Sequence, residues 1–316
     1  EWPIGLGPSE DHQPRYVYGI STPETAKFAA VMALAARVYQ EDQPELANHY
    51  QVAARQAWTF LERHPAMMVD EFEGDNSGSG PYLYSEWDRE RSLTTDIDDR
   101  LWAGTELAIT TSDLNYDTEI DRYLNTFDYS LFEWKDPSPL GLVNYVLSSS
   151  ETATSNVIEQ IKQKLLARAD GLLKKMNENP YRVANDRYIW GSNKMVAEEG
   201  LTLVYAYRWT GDRAYYDAAI DQLDYLLGRN PFDQTFVTGI GTHPVQHTNH
   251  LFAKAKKIYI PGLMVGGPNA DAQDNIAPKE QGMLSYIDSE DSYATNEYAI
   301  DYNASLIALI TELNTL

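Results

Sequence analysis

Two kinds of hydrophobic pattern alternate along the chain. Residues 28–39, 201–209 and 298–313 are apolar on most of a helical circumference, the pattern of helices with neighbours on every side. Residues 44–63, 157–175 and 212–227 instead carry an apolar stripe opposite a charged face, as helices do when one side meets water. Ser21-Thr22-Pro23-Glu24 supplies a hydroxyl cap, a proline and an acid in the order a helix start favours. Asp96 to Asp99 load carboxylates ahead of Leu101-Trp102-Ala103, and Gly228-Arg229-Asn230-Pro231 is a stop. The pattern predicts about nine helices joined by long connections at residues 68–91, 180–193 and 230–291, and connections that long are uncommon unless functional. No β-alternation and no low-complexity linker interrupts it. The cadence predicts a single all-α domain, an α/α barrel of helical hairpins. About nine helices do not complete six hairpins, so the expectation is that N-terminal helices of this domain lie upstream of Glu1.

Composition narrows the function. The 25 Lys and Arg stand against 47 Asp and Glu, a formal charge of -22, and no basic cluster could neutralise a run of phosphates. Nucleic acid and anionic membranes are thereby poor partners, and no apolar run is long enough to span a bilayer. With no Cys, disulfides, thiolate nucleophiles and Cys-ligated zinc are out. The 22 Tyr and 7 Trp are more telling, because amphipathic rings stack on the C–H faces of sugars while their polar tips hydrogen-bond. Most of them are equally expected as core and rim packing.

The C-terminal segment is the most specific. Tyr286, Asp288, Tyr293, Asn296-Glu297 and Asn303-Ala304 fall at the spacings of the C-terminal signature of glycoside hydrolase family 9, the cellulase and endoglucanase family, which the segment resembles. Trp190-Gly191-Ser192-Asn193, residues 207–212 and residues 222–231 resemble that family in the same order. The resemblance implies an (α/α)6 barrel, of which this is the C-terminal part, and inverting hydrolysis of β-linked glucans by a secreted or periplasmic protein. Glu297 is then the general acid. Inverting cleavage needs one protonated carboxyl at the leaving oxygen and one carboxylate activating water, roughly 6.5–9.5 Å apart. Glu297 is read as opening the last apolar helix, whose positive end would lower its pKa while burial and nearby carboxylates, Asp288 and Asp291, would raise it. Taken without the signature, it reads as an ordinary first-turn acid.

The resemblance also implies binding sites and departures. The family's base lies in an Asp-Ala-Gly-Asp stretch that nothing here matches; Asp70 to Asp75 have the wrong spacing, so the base is expected upstream. Trp190, Tyr293, His247, Asn249 and His250 are the candidate sugar contacts. The family's Pro-His-His-Arg reads Thr248-Asn249-His250-Leu251 here, and losing a guanidinium fork implies altered sugar recognition. Thr94, Thr95, Asp98, Asp99 and Asp136 match a structural calcium site, and hard oxygen donors suit Ca2+ at roughly 2.3–2.6 Å. The same acids are also what a solvated helix start favours. Rival readings are an exo-acting β-glucosidase or β-glucosaminidase, a non-hydrolytic carbohydrate-binding protein on the same scaffold, and another barrel enzyme such as an epimerase or lyase.

Overall fold

A computed structural model describes residues 7–12, 19–69, 95–116, 120, 124, 136–148 and 155–316. Thr94, the acidic stretch 70–75 and most of the connection at 68–91 lie outside them. The helices are α1 (Thr22–Tyr39), α2 (Pro44–Arg63), α3 (Ile97–Thr111), α4 (Ser138–Leu147), α5 (Ser155–Glu178), α6 (Ser192–Thr210), α7 (Arg213–Leu226), α8 (Leu251–Lys256), α9 (Tyr293–Asn296) and α10 (Ile300–Asn314). Extended pairing among the described residues is confined to isolated bridges. No helix of the described residues is long and apolar enough to cross a membrane.

The chain divides into two compact units, one of residues 14–164 and one of residues 165–316 with 1–13. In the first, α1 packs on α2 and α3, and α3 on α4. Ser21 caps α1 by accepting from Glu24 N at 3.4 Å, and the buried stripe Ala26, Ala29, Ala30, Ala33 and Ala36 lets neighbouring helices approach closely. The stripe of α2 is Ala47, Ala54, Trp58 and Leu61, as its amphipathic pattern predicts. The contiguous run 98–108 of α3 is buried all round although it holds Asp98, Asp99, Arg100 and Glu106. These charges are spent internally. Arg100 pairs with Asp96 at 2.9 Å and donates to the terminal carbonyls of α2 at Leu61 (3.1 Å) and His64 (2.7 Å). Glu106 accepts from Arg37, from Trp102 Nε1 at 3.2 Å and from Asn144 Nδ2 at 2.6 Å.

In the second unit α6 packs on α7 and α10, and its run 192–206 is buried all round. Gly200 is the contact point with α10: a Cβ there would meet Leu309 side-chain carbons at 2.8 Å. Gln222 of α7 is wholly buried and ties the chain between α5 and α6 down, accepting from Ala184 N at 2.9 Å and donating to Arg182 O at 3.2 Å.

Two expectations need correction. The first and last of the three all-round apolar segments are buried on one side only: Phe28, Val31 and Val38 of α1 and Ile300 and Ile307 of α10 are exposed. The last helix also begins at Ile300, with Ala299 as its N-cap, so Glu297 does not open it. Residues 297–299 run extended because their backbone pairs with distant segments, Asn249 with Glu297 and Val265 with Tyr298. The connection 230–291 is subdivided by α8 and a 3-10 turn at Gly282–Leu284.

Candidate active site

Glu297 lies in the second unit, immediately after α9, with φ -65° and ψ 143°. Its place is fixed by backbone. Gly266 N donates to Glu297 O at 2.8 Å, Gly266 O accepts from Asn193 N at 2.9 Å, and Gly267 N donates to Thr295 O at 2.9 Å. The start of α6, the Gly266-Gly267 pair and the signature segment are thus laid side by side. Only glycine fits at 267, where φ is +87° and a Cβ would sit 2.3 Å from the Asn193 side chain. The Glu297 carboxyl is half-buried; burial raises its pKa above the ordinary 4.5, and a hydrogen bond from Trp190 draws it partly back.

The other candidate residues of this segment gather around it. Trp190 stacks on Tyr293, with ring centroids 5.6 Å apart and planes at 29°. His250 stacks on Tyr298 at 4.3 Å and 17°. His250 Nδ1 accepts from Ala253 N at 3.3 Å, capping α8, so the ring proton of the neutral form sits on Nε2. Burial lowers the His250 pKa, which agrees with a neutral ring. Asn249 donates through Nδ2 to Glu290 O at 2.8 Å and through its backbone to Asn296 O at 2.9 Å. His247 is held by its main chain, N to Asp288 Oδ1 at 2.9 Å and O from Asn296 Nδ2 at 2.8 Å.

Asp288 is engaged by the same segment. Its carboxylate takes four hydrogen bonds, from Gln234 Nε2, Gln246 N and His247 N at 2.9 Å and from Asn296 Nδ2 at 3.0 Å. It clamps the 246–250 segment to the residue preceding Glu297. Neither Asp288 nor Asp291 is among the groups that shift the Glu297 pKa, which burial raises. Asp291 is exposed and faces Lys254 at 3.9 Å. Sequence reasoning took Asn296 only as part of the signature, with no role of its own, and passed over Gln234, Gln246, Gly266, Tyr298 and Tyr302 as site residues. The Gly-Gly pair and the Asn beside Glu297 were the available signals; the glutamines gave none.

The candidate calcium residues lie in the first unit. Thr94 is outside the described residues. Thr95 Oγ1 accepts from Ile97 N at 3.3 Å, and Asp136 Oδ1 accepts from Ser138 N and Oγ at 3.1 and 2.6 Å, capping α4. Both oxygens of Asp98 are buried with no hydrogen-bond partner among the described residues. Burial and the charges of Asp99 and Asp136 push its carboxyl up to about 8. Burial pushes Asp99 up to about 7, against the Lys27 ammonium 3.0 Å away. These oxygens suit a hard cation chemically. Among the described residues, however, no three acids or histidines are gathered as a ready ligand cluster.

A half-buried carboxyl beside stacked rings, on a scaffold of packed helices, defines a class of all-α proteins whose aromatic faces suit a sugar ring. Within that class the chain belongs to glycosyl hydrolase family 9, whose sequence profile matches residues 1–310. It is 32% identical over 330 residues to the xyloglucan-specific endo-β-1,4-glucanase of Bacteroides ovatus, covering 98% of this chain and 54% of that protein. It is 29% identical over 306 residues to endoglucanase D of Acetivibrio thermocellus, covering 95% of this chain and 45% of that one. The crystal structure of a metagenome-derived family 9 endoglucanase superposes with a TM-score of 0.89 at 37% identity, over 100% of this chain and 56% of that chain. The chain thus spans about half the length of these relatives. The all-α, (α/α)6 fold class expected from the sequence is the class of these family structures.

Proposed function

We propose that this chain carries the acid half of an inverting glycoside hydrolase that cleaves β-1,4-linked glucan chains, with Glu297 protonating the leaving oxygen. The observation that carries the reading is the Glu297 carboxyl itself: half-buried, raised in pKa by that burial, and set in the segment that bears two stacked ring pairs. A carboxyl whose pKa is raised is better placed to give a proton to a glycosidic oxygen. The stacked Trp190 and Tyr293 offer an apolar face to a pyranose ring, and the Nε2–H of His250 and the Asn249 amide offer polar contacts. His247 joins them through its side chain. Asp288 acts by fixing the segment that bears these groups. Inversion also needs a second carboxylate across the sugar ring, and the assignment here covers only the acid.

Leu251 stands where the family carries arginine, which removes a bidentate donor beside His250 and favours a backbone recognised with fewer hydroxyl contacts. The similarity to a xyloglucan-specific enzyme points the same way. Exo-action on short β-glucosides or β-glucosaminides is the second reading that this replacement allows. Asp98, Asp99 and Asp136, with the Thr94 and Thr95 carbonyls, would hold a structural Ca2+ that neutralises the acids at the start of α3. A polymeric substrate outside the cell calls for export.

The test is reducing-sugar release by the full-length protein from xyloglucan, mixed-linkage β-glucan, carboxymethylcellulose and aryl β-glycosides. Glu297→Gln is expected to lower turnover about 10²–10⁴-fold on the preferred substrate, with Tm unchanged. Full activity of that variant would end the acid assignment. Monosaccharide as the sole product would favour exo-action.

A further inference from the structure

Trp190 and Tyr293 come from distant segments, yet their rings are stacked with centroids 5.6 Å apart. Tyr293 is 41% exposed, so its own burial does not set the ring. It opens α9, a single turn of four residues, and a helix that short has no stability of its own. The N-cap residue Ser292 does not cap it, because its hydroxyl is donated to Asp274 Oδ2 at 2.8 Å. The cap comes from another segment. Asp274 Oδ2 accepts from Ala294 N at 2.9 Å, and its Oδ1 accepts from Ile276 N at 2.9 Å, which fixes the carboxylate. The Ala294 carbonyl is taken by Asn269, whose Nδ2 donates to it at 3.1 Å. Asn269 is wholly buried and is itself held, N donating to Ser285 O at 2.8 Å and Oδ1 accepting from Asp271 N at 3.1 Å.

The same stretch grips both flanks of Trp190. Ala270 N donates to Tyr188 O at 2.7 Å, and Pro268 O accepts from Ser192 Oγ at 2.7 Å. Residues 268–274 are thus bonded on one side to the segment bearing Trp190 and on the other to the residue that follows Tyr293. We propose that Asn269 and Asp274 are positioning residues that hold the Tyr293 ring against the Trp190 indole, so that the apolar face for a pyranose ring is built before the sugar arrives. This rests on the reading of that ring pair as a sugar contact. A face already assembled spares the ordering cost of binding, so the effect of both residues falls on affinity.

The probe is thio-linked cellotetraose, a β-1,4-gluco-oligosaccharide with sulfur at each bridge; it is not cleaved, so the outcome does not depend on which carboxyl is the acid. Its Kd is measured by calorimetry on the full-length protein across a double-mutant cycle. Tyr293→Ala is expected to weaken binding about tenfold and Asp274→Ala about fivefold, whereas in the Tyr293→Ala background Asp274→Ala should cost less than about twofold. Asp274→Asn keeps an oxygen for Ala294 N and Ser292 Oγ and should return Kd to within about twofold of the parent. A merely structural role would weaken binding by the same factor with and without Tyr293, and that result overturns the proposal. Where Asp274→Ala does not unfold cooperatively, Asn269→Ser takes its place in the same cycle and is judged by the same coupling. Fluorine NMR of 3-fluorotyrosine-labelled protein reads the ring directly, with the Tyr293 resonance identified by its loss in Tyr293→Ala. Asp274→Ala should move that resonance towards its position in Trp190→Leu, and Asp274→Asn should not; an unmoved resonance in Asp274→Ala overturns the proposal. A Kd that Tyr293→Ala leaves unchanged removes the sugar contact from the proposed function, while the moved resonance still establishes the positioning.

Discussion

Asp288 in the second unit and Asp98 in the first are both carboxyl groups drawn into the fold, and they are treated in opposite ways. Asp288 is met by four protein donors at 2.9–3.0 Å, two of them backbone N–H groups. Asp98 is 1% exposed, has no hydrogen-bond donor on either oxygen among the described residues, and lies near two further carboxylates. A buried anion must be paired, protonated or bound to a cation. The first solution makes Asp288 part of the framework around Glu297. The second region is left with a demand for positive charge that Lys27, directed at Asp99, meets only in part.

The comparison breaks most sharply at Asp288. Asp288→Ala withdraws the acceptor of four bonds and should cost about 2–3 kcal/mol, read from urea unfolding, with a raised KM because the 246–250 segment comes loose. Stability within about 0.5 kcal/mol of the parent would remove the clamp from the account. At Asp98 the sign should depend on calcium. Saturating Ca2+ is expected to stabilise the protein by about 2–3 kcal/mol, a gain lost in EGTA and absent from Asp98→Asn. In EGTA at a pH above 8, where the parent's carboxyl is ionised, the same variant should be the more stable protein, since it buries no charge; equal Tm with and without Ca2+ would leave the acids without a cation.

Glu199 sharpens the contrast by a third solution. It is fully enclosed on α6, with Arg168 at 3.6 Å and no hydrogen bond to Oε2, and burial pushes its carboxyl from 4.5 up to about 8. The unfolded chain releases this proton near 4.5 and the folded chain only near 8. The contribution of Glu199 to stability is therefore complete below 4.5 and is lost as pH rises towards 8, by at most about 1.4 kcal/mol per pH unit. Glu199→Gln should flatten that slope in pH-dependent chemical unfolding. A parent protein whose stability rises through the same window would show that Arg168 dominates and keeps Glu199 ionised.

Legibility in the sequence followed the range of the interactions. Helix α2 was readable at both ends, since Pro44 and an unbroken stripe are local signals. Helix α3 was not recognised as buried all round, because Arg100 and Glu106 look like surface charges until their partners on α1, α2 and α4 are in place. The exposed flanks of α1 and α10 show the converse failure: an apolar circumference does not say which neighbours will cover it. Glu297 was found by signature spacing, but its setting was misread because the apolar run after it looks continuous. The extended link is imposed by residues 249 and 265, which no helical window contains. The work of Asp288 was hidden for the same reason, with Gln234 and Gln246 lying 54 and 42 positions away.

The central claim is that burial keeps the proton on Glu297 until a glycosidic oxygen takes it. Its most direct test is kcat/KM against pH on the preferred soluble glucan, whose alkaline limb reports the acid of the free enzyme. The account predicts a limb with its midpoint above 4.5, the ordinary glutamate value, that is missing from the residual activity of Glu297→Gln. An identical limb in that variant, or activity that does not fall at alkaline pH, would contradict it.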